Sequence, residues 1–350
     1  MITKILTLVW LLIGTYTEGT SSDGVYLYSF DTETAAFERL GLVQTGNPSF
    51  VIAPSDGRTA YCVNEFKDGR QALSAISLSG GDLRLINTVS IPKSTVDGED
   101  PCHLLCTGDA LISSNYSGGS LTAFALNGNG SISEMTQYFL GEKKSHIHCA
   151  VLSPDGKYIF VTDLGTDRIL RFNRASGIHP LGEADIAWKN WAPGRLGPRH
   201  LTFSPDGRFA YLLCELSDKL IVFSYDEGRL SPIQVLTAYP GKGHGSADIH
   251  LSPDGRFLYT SHRLKGDGIS IFSVNPSDGK VTPSGFQPTG KHPRNFTITP
   301  DGRYLLCACR DESRIEIYAI DPSTGALTPT ARHIRVPSPS CVQVVPAADF

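Results

Sequence analysis

No Cys-x-x-Cys pair, no long basic run and no apolar stretch approaching twenty residues occurs in this sequence of 350 residues. Each absence removes a class of function. Without paired cysteines at metal-ligand spacing there is no zinc ribbon and no thioredoxin-type redox motif. The eight cysteines (Cys62, Cys102, Cys106, Cys149, Cys214, Cys307, Cys309 and Cys341) fall mostly inside strand-like runs. There they read as reduced core thiols, not as a disulfide framework. Lys and Arg number 31 against 35 Asp and Glu, a net charge of −4, so neither a nucleic-acid backbone nor an anionic membrane is expected as a partner. Gly-x-Ser-x-Gly, P-loop and Gly-x-Gly-x-x-Gly motifs are missing as well, which leaves a serine-hydrolase elbow and a nucleotide fold without support.

The apolar run from Ile5 to Ile13, behind Lys4, has the outline of a signal peptide. It is too short to span a bilayer, and it passes into Gly14-Thr15-Tyr16-Thr17 without a small-residue cleavage site. Since residues 10–16 also fill a strand position that the repeat described next requires, the segment is expected to be retained and the protein to be cytoplasmic. Export is the alternative.

What the sequence has in abundance is turn chemistry, with 35 Gly and 22 Pro alongside 40% hydrophobic and 19% charged residues. That is a soluble all-β composition able to bury a large core. The stretch from Gly197 to Glu215 shows the grammar: a short apolar strand opens near Pro198, turns at Pro205-Asp206-Gly207-Arg208, and a second apolar strand ends on Glu215. Asp-Gly between two β-type runs is a strong hairpin signal. Counted as hairpin plus two further strands, the units cover 47–54, 59–65, 72–78 and 83–91; then 101 onward through a degenerate turn at Thr107-Gly108-Asp109 to 116, 120–126 and 132–140. The third runs from 146 through the turn at Pro154-Asp155-Gly156-Lys157 to 165, 168–173 and 181–188. The fourth is completed by 219–225 and 233–239. The fifth spans 247–253, 257–263, 268–274 and 281–287, and the sixth 293 onward, 304–310, 314–320 and 327–336. The chain begins with strands at 10–16, 25–30 and 37–44 that lack an inner partner, and ends with 340–345, an inner strand without a sheet. Complementary halves predict an all-β, seven-bladed β-propeller of four-stranded antiparallel blades, a single domain over residues 1–350, closed when the C-terminal strand joins the N-terminal ones.

The Asp-Gly turns vary little, whereas the opposite end of each hairpin varies in chemically potent residues. Aligned on the turns, the strand-opening columns read Ser49, Cys102, His148, Arg199, Ala247, Arg294 and Ser340, then Phe50, His103, Cys149, His200, Asp248, Asn295 and Cys341. The second strands end on Glu65, Tyr116, Leu164, Glu215, Arg263, Arg310 and Tyr16, preceded in four cases by Asn64, Asn115, Asp163 and His262. Arg199 and Glu215 should therefore be neighbours, and ring closure should gather these columns at one mouth of the central channel. Opposed charges packed in a partly desolvated funnel shift one another's pKa values and suit acid–base work. They equally suit an ion-pair network that holds blades together. His146-Ile147-His148 adds a third reading, because alternate residues share a strand face and two imidazoles with Glu65 or Glu215 could hold a metal.

Taken together, Ile13-Gly14-Thr15-Tyr16-Thr17, Val63-Asn64-Glu65, Asn115-Tyr116-Ser117-Gly118-Gly119-Ser120, His146-Ile147-His148, Asp163-Leu164-Gly165-Thr166-Asp167, Gly197-Pro198-Arg199-His200 and Cys214-Glu215-Leu216 resemble the seven-bladed lactonase family. That family includes propeller-type 6-phosphogluconolactonases and carboxy-muconate lactonising enzymes, and the likeness runs over essentially the whole chain. The resemblance implies a carboxylic ester hydrolase free of metal and cofactor, acting on a small-molecule lactone, with 6-phosphogluconolactone of the pentose phosphate route as the expected substrate. It also implies that His148, Glu215, Arg199 and Arg263 are catalytic. Glu65, His103, Asn115, His146, His200, Arg294 and Arg310 are expected to line the substrate site, in a monomer or weak oligomer. A muconolactone-type cycloisomerase or lyase and a protein-binding platform are the alternatives.

Overall fold

A computed structural model of the protein describes residues 7–54, 57–78, 83–92, 98–239, 241 and 243–346. Met1–Leu6 of the N-terminal apolar run and Ser55 and Asp56 of the first turn lie outside the described residues. The strands form seven four-stranded antiparallel sheets. Each inner strand touches its counterparts in the two adjacent blades, and the last touches the first, so the ring is closed.

Closure follows the complementary halves. Pro339–Pro346 pairs antiparallel with Leu8–Thr15, which continues through Gly24–Asp31 to Phe37–Gln44. Most blades keep their expected bounds to within a residue or two; the third, for example, is Ile147–Leu152, Tyr158–Asp163, Arg168–Arg174 and Leu181–Lys189. Two elements differ. The inner strand of the first blade is only Val51–Ile52, and the outer strand of the fourth is Arg229–Thr237, several residues earlier than the sequence suggests. Outer strands face water on one side and their apolar pattern is correspondingly weak, so register there is poorly marked in sequence.

The turns repeat because one local device builds them. In four blades the Ser or Thr before the turn donates to the turn aspartate: Ser153 to Asp155, Ser204 to Asp206, Ser252 to Asp254 and Thr299 to Asp301, at 2.6 to 2.7 Å. The same carboxylate accepts the backbone N–H two residues on, from Lys157, Arg208, Arg256 and Arg303. The intervening glycines sit at φ of 68° to 73°, a left-handed conformation that any side chain would strain.

Between neighbouring blades lie seven apolar clusters, one at each junction. The second strands feed two junctions at once, which is why Phe209–Cys214 and Phe257–His262 are buried along their whole length. The cysteines follow the same logic. Seven of the eight are buried and all are unpaired by disulfides.

Candidate active site at the propeller mouth

Arg199 and Glu215 are neighbours across their hairpin, as the antiparallel pairing of Pro198 with Cys214 requires. Arg199 Nε donates to Glu215 Oε2 at 2.8 Å, and Arg263 Nη2 from the next blade reaches Glu215 Oε1 at 3.0 Å. One carboxylate thus holds two guanidinium groups, both about 95% or more buried. Arg199 Nη1 is further fixed on the Ala247 carbonyl and lies 3.2 Å from His200 Nε2. Arg263 Nε donates to the Gly245 carbonyl at 3.0 Å. Directly after Arg263 the chain enters a left-handed residue, Leu264 at φ 74°, whose side chain is exposed. A non-glycine residue held there stores strain, of the sort found where a side chain must be presented at a set angle.

Electrostatics at the mouth are dominated by burial and excess positive charge. Burial alone would raise the Glu215 carboxyl, but Arg199, Arg263 and Arg294 outweigh it and hold it below its usual range. Arg263 is pressed down to about 9, chiefly by burial and then by Arg199, and stays charged at neutral pH. Burial, then Arg199, His200 and Arg294, push His148 well below the ordinary imidazole value. Its Nδ1 is sealed without a hydrogen-bond partner. Its ring meets Tyr116 edge-on at 5.8 Å and His200 at 5.1 Å. Together with Cys102, Arg199, His200 and Arg294, it lines a narrow cavity on the channel axis.

A second carboxylate, Glu65, mirrors the first across the mouth. It accepts the Tyr16 hydroxyl at 2.9 Å and the Ser49 hydroxyl, and lies 3.9 Å from Arg294 Nη2. Arg294 and Arg310 both lie over the Tyr16 ring, at 5.5 and 6.0 Å. Arg310 opens a one-turn 3₁₀ segment, Arg310–Glu312, and pairs with Asp311 at 2.7 Å, which places it at the rim. His103 stacks on Phe50 at 4.4 Å with its Nε2 3.5 Å from Cys149 Sγ.

This architecture has known counterparts. A profile described as lactonase, 7-bladed beta-propeller, matches residues 10–344. The chain belongs to that lactonase family. A 6-phosphogluconolactonase of Formosa agariphila is 33% identical to it over 95% of this chain and 99% of its own. Among solved structures, a candidate 6-phosphogluconolactonase from Bacteroides fragilis superimposes with a TM-score of 0.91 at 40% identity, covering 98% of this chain and 99% of that one. The periplasmic gluconolactonase of Pseudomonas aeruginosa does so with a TM-score of 0.88 at 32% identity, over 97% and 100%.

Two of the expected substrate-lining residues of this lactonase-family chain are engaged elsewhere. Asn115 is buried inside its own blade, donating to Ser120 Oγ at 3.0 Å and accepting from Ser113. An Asn at the end of a second strand is drawn inward by the hydroxyls opposite it. His146 does not share a partner with His148. A bulge between Ile147 and Cys149 breaks the alternation, and His146 instead stacks flat on Tyr116 at 4.6 Å with Nδ1 on the Tyr116 carbonyl. Among the described residues no group of three His, Cys, Asp or Glu converges with metal-binding geometry, and none of the helical segments is long and apolar enough to cross a membrane. Conversely Tyr16, Tyr116 and Asp248 stand in the aligned columns with nothing local in the sequence to mark them. Their importance comes from contacts between blades, at separations of 30 to 49 residues.

Proposed function

We propose that this protein is a lactonase that hydrolyses the ring ester of an anionic sugar-acid lactone, 6-phosphogluconolactone foremost, at the mouth of the propeller. The observation that carries the reading is the pair of guanidinium groups locked on Glu215 beside an uncharged, unanchored His148. The names of the relatives support it.

Hydrolysis of a lactone needs a base for the attacking water, charge stabilisation for the tetrahedral oxyanion, and a proton for the departing ring alkoxide. His148 is neutral at physiological pH and can take the water proton, then return it to the alkoxide as the ring C–O bond breaks. Arg199 and Arg263 supply the donors for the oxyanion. Arg199 has Nε and Nη1 committed to the protein, leaving Nη2 to the substrate. Glu215, engaged by both arginines and held ionised, acts as the piece that fixes their positions. Four guanidinium groups, on Arg199, Arg263, Arg294 and Arg310, are set against three carboxylates, Glu65, Glu215 and the Asp311 that pairs with Arg310, so positive charge remains in excess and the site favours a substrate with its own negative charge. Arg294 and Arg310 are assigned to the phosphate or carboxylate end, with His103 lining the same mouth, while both ring nitrogens of His200 are engaged by Asp248 and Arg199.

The propeller works as one domain in the cytoplasm, where a phosphorylated lactone is retained. The test is lactone consumption by the purified protein on 6-phosphogluconolactone and on gluconolactone, each corrected for spontaneous ring opening. Faster turnover of the phosphorylated ring, with a kcat/KM preference of at least about tenfold, supports the assignment; a preference of about 1.4 kcal/mol suffices for that. Preference for the unphosphorylated ring refutes the phosphate reading, and acceleration of neither refutes the lactonase reading.

A further inference from the structure

One buried aspartate sits where four blades meet. Asp248, on the inner strand Ser246–Leu251 of the fifth blade, is 2% exposed and has both carboxylate oxygens saturated. Oδ1 accepts from His200 Nδ1 at 2.7 Å and from the Ile249 N–H at 3.0 Å. Oδ2 accepts from His250 Nε2 at 2.9 Å, from Asn295 Nδ2 and from the Phe296 N–H at 3.2 Å. Asn295 Oδ1 in turn accepts the Val342 N–H of the closing strand at 2.7 Å. The hub therefore ties the fourth, fifth and sixth blades to the strand that closes the ring.

The contact with His200 carries a further consequence. A guanidinium nitrogen can only donate, so the 3.2 Å approach of Arg199 Nη1 requires His200 Nε2 to be the bare, accepting nitrogen. The ring proton is then on Nδ1, pointing at Asp248. We propose that Asp248 is a positioning residue for the hydrolysis: by holding the His200 proton on Nδ1, it makes Nε2 the acceptor that aims the Arg199 guanidinium at the substrate. An amide at position 248 would offer His200 Nδ1 a donor. The ring proton would move to Nε2, two N–H groups would face each other at about 3 Å, and Arg199 would swing off its line. The inference rests on Arg199 facing substrate as set out above, but the tautomer itself can be read without any assay of activity.

The first measurement is the ¹⁵N spectrum of the wild-type protein labelled at histidine, with the His200 signals assigned by their loss in His200→Gln. A protonated Nδ1 and bare Nε2 are expected; the reverse tautomer overturns the proposal, whether or not the protein turns over lactones. The second is kinetic. Asp248→Asn should reverse the tautomer and lower kcat about a hundredfold, the size of effect that a small misplacement of a reacting group produces, while KM stays within about threefold. His250→Ala removes one donor from Asp248 Oδ2 without touching the cavity that His148 lines, so it should lower the melting temperature too, yet leave kcat within about threefold because the His200 contact survives. Loss of kcat in proportion to loss of stability across both variants would reduce Asp248 to a structural tie and overturn the assignment. Should Asp248→Asn fail to fold, the wild-type tautomer stands as the deciding result. If the wild type has the expected tautomer but no lactonase activity, the reading of the mouth fails and the hub geometry stands.

Discussion

The two ends of the propeller solve opposite problems with the same residue types. At the turn end, Arg208 and Arg256 lie over the adjacent Phe209 and Phe257, pair with Asp206 and Asp254 at 2.7 Å, and donate to Pro276 and Pro322 of the following blade. These ion pairs are about half exposed, and they recur from blade to blade. At the mouth, Arg199 and Arg263 are sealed against Glu215, and among the described residues no second carboxylate holds two buried guanidinium groups in this way. Burying two cations on one carboxylate is costly. The depressed imidazole of His148 and the Arg263 value of about 9 record that cost. Repetition marks what the fold needs locally, and departure from repetition marks what it spends stability on.

The comparison is tested most severely by removing the mouth's working groups. His148→Asn should lower kcat about a thousandfold if His148 transfers the proton, since general acid–base catalysis contributes on the order of 10² to 10⁴. Arg199→Ala and Arg263→Ala should each cost roughly 3 kcal/mol of transition-state stabilisation, about a hundredfold in rate. All three should remain folded by circular dichroism and calorimetry. A fully active His148→Asn would remove that residue from the chemistry.

Glu215→Gln sharpens the comparison further. The amide keeps the shape, but its oxygen can accept from only one of the two arginines while its NH2 turns a donor on the other, losing about 1.5 kcal/mol of alignment. Turnover should fall about tenfold while KM changes less. A collapse of activity as deep as that of His148→Asn would instead make Glu215 the base.

How much of this was legible in the sequence depended on the range of the interaction. The Asp-Gly turn is written in five or six consecutive residues, so the blades could be counted and the half-blades at either end could be matched. Arg199 with Glu215 was legible because a hairpin fixes which residues lie opposite. The hub around Asp248 was not, since His200 and Asn295 reach it across separations of 48 and 47 residues. That spacing is close to one blade period, and it was the available signal: residues one repeat apart in the inner strands come into contact once the ring closes. The contacts of Asn115 and His146 are hidden in the sequence for a different reason. Column position says which end of the blade a residue occupies, but hydroxyl partners and a bulge decide where its side chain turns.

Acid should separate the two ends by the pH at which each begins to fail. His103, His148 and His200 are held below the ordinary value of 6.5, first by burial, with His200 at about 4. As pH falls through 6.5 the unfolded chain takes up protons that the folded mouth refuses, so stability begins to decline there. His250, raised by Asp248 against its burial, opposes this, because its contribution is complete at low pH and is lost as pH rises through its folded value. The turn aspartates Asp155, Asp206 and Asp254 sit below their ordinary 3.8, where hydrogen bonds from Ser153, Ser204 and Ser252 and from the backbone outweigh slight burial. Their contribution is intact above that value and is lost only as pH falls through the lowered one. Melting temperature followed from pH 8 to 5 should therefore decline first below about 6.5, and less so in His148→Asn. A curve flat to pH 5 would mean that the depressed mouth histidines are offset by His250 or titrate alike in both states.

The smallest effect is expected where the charges look most alike. Arg208→Ala and Arg256→Ala each delete an exposed ion pair and one hydrogen bond to the neighbouring blade. Exposed pairs contribute about 0.2 to 1 kcal/mol. The melting temperature should thus fall by only a few degrees, roughly 2 to 4 °C per kcal/mol in a chain of this size or somewhat smaller. Kinetics should stay within about twofold, because the turns lie at the far end of the same strands that present Arg199 and Arg263. The inner hairpins are rigid, however, and a turn that shifted its blade would move the mouth with it. A turn variant that lost turnover while keeping its melting temperature would show the two ends to be coupled through the strands, and the division drawn between them would have to be abandoned.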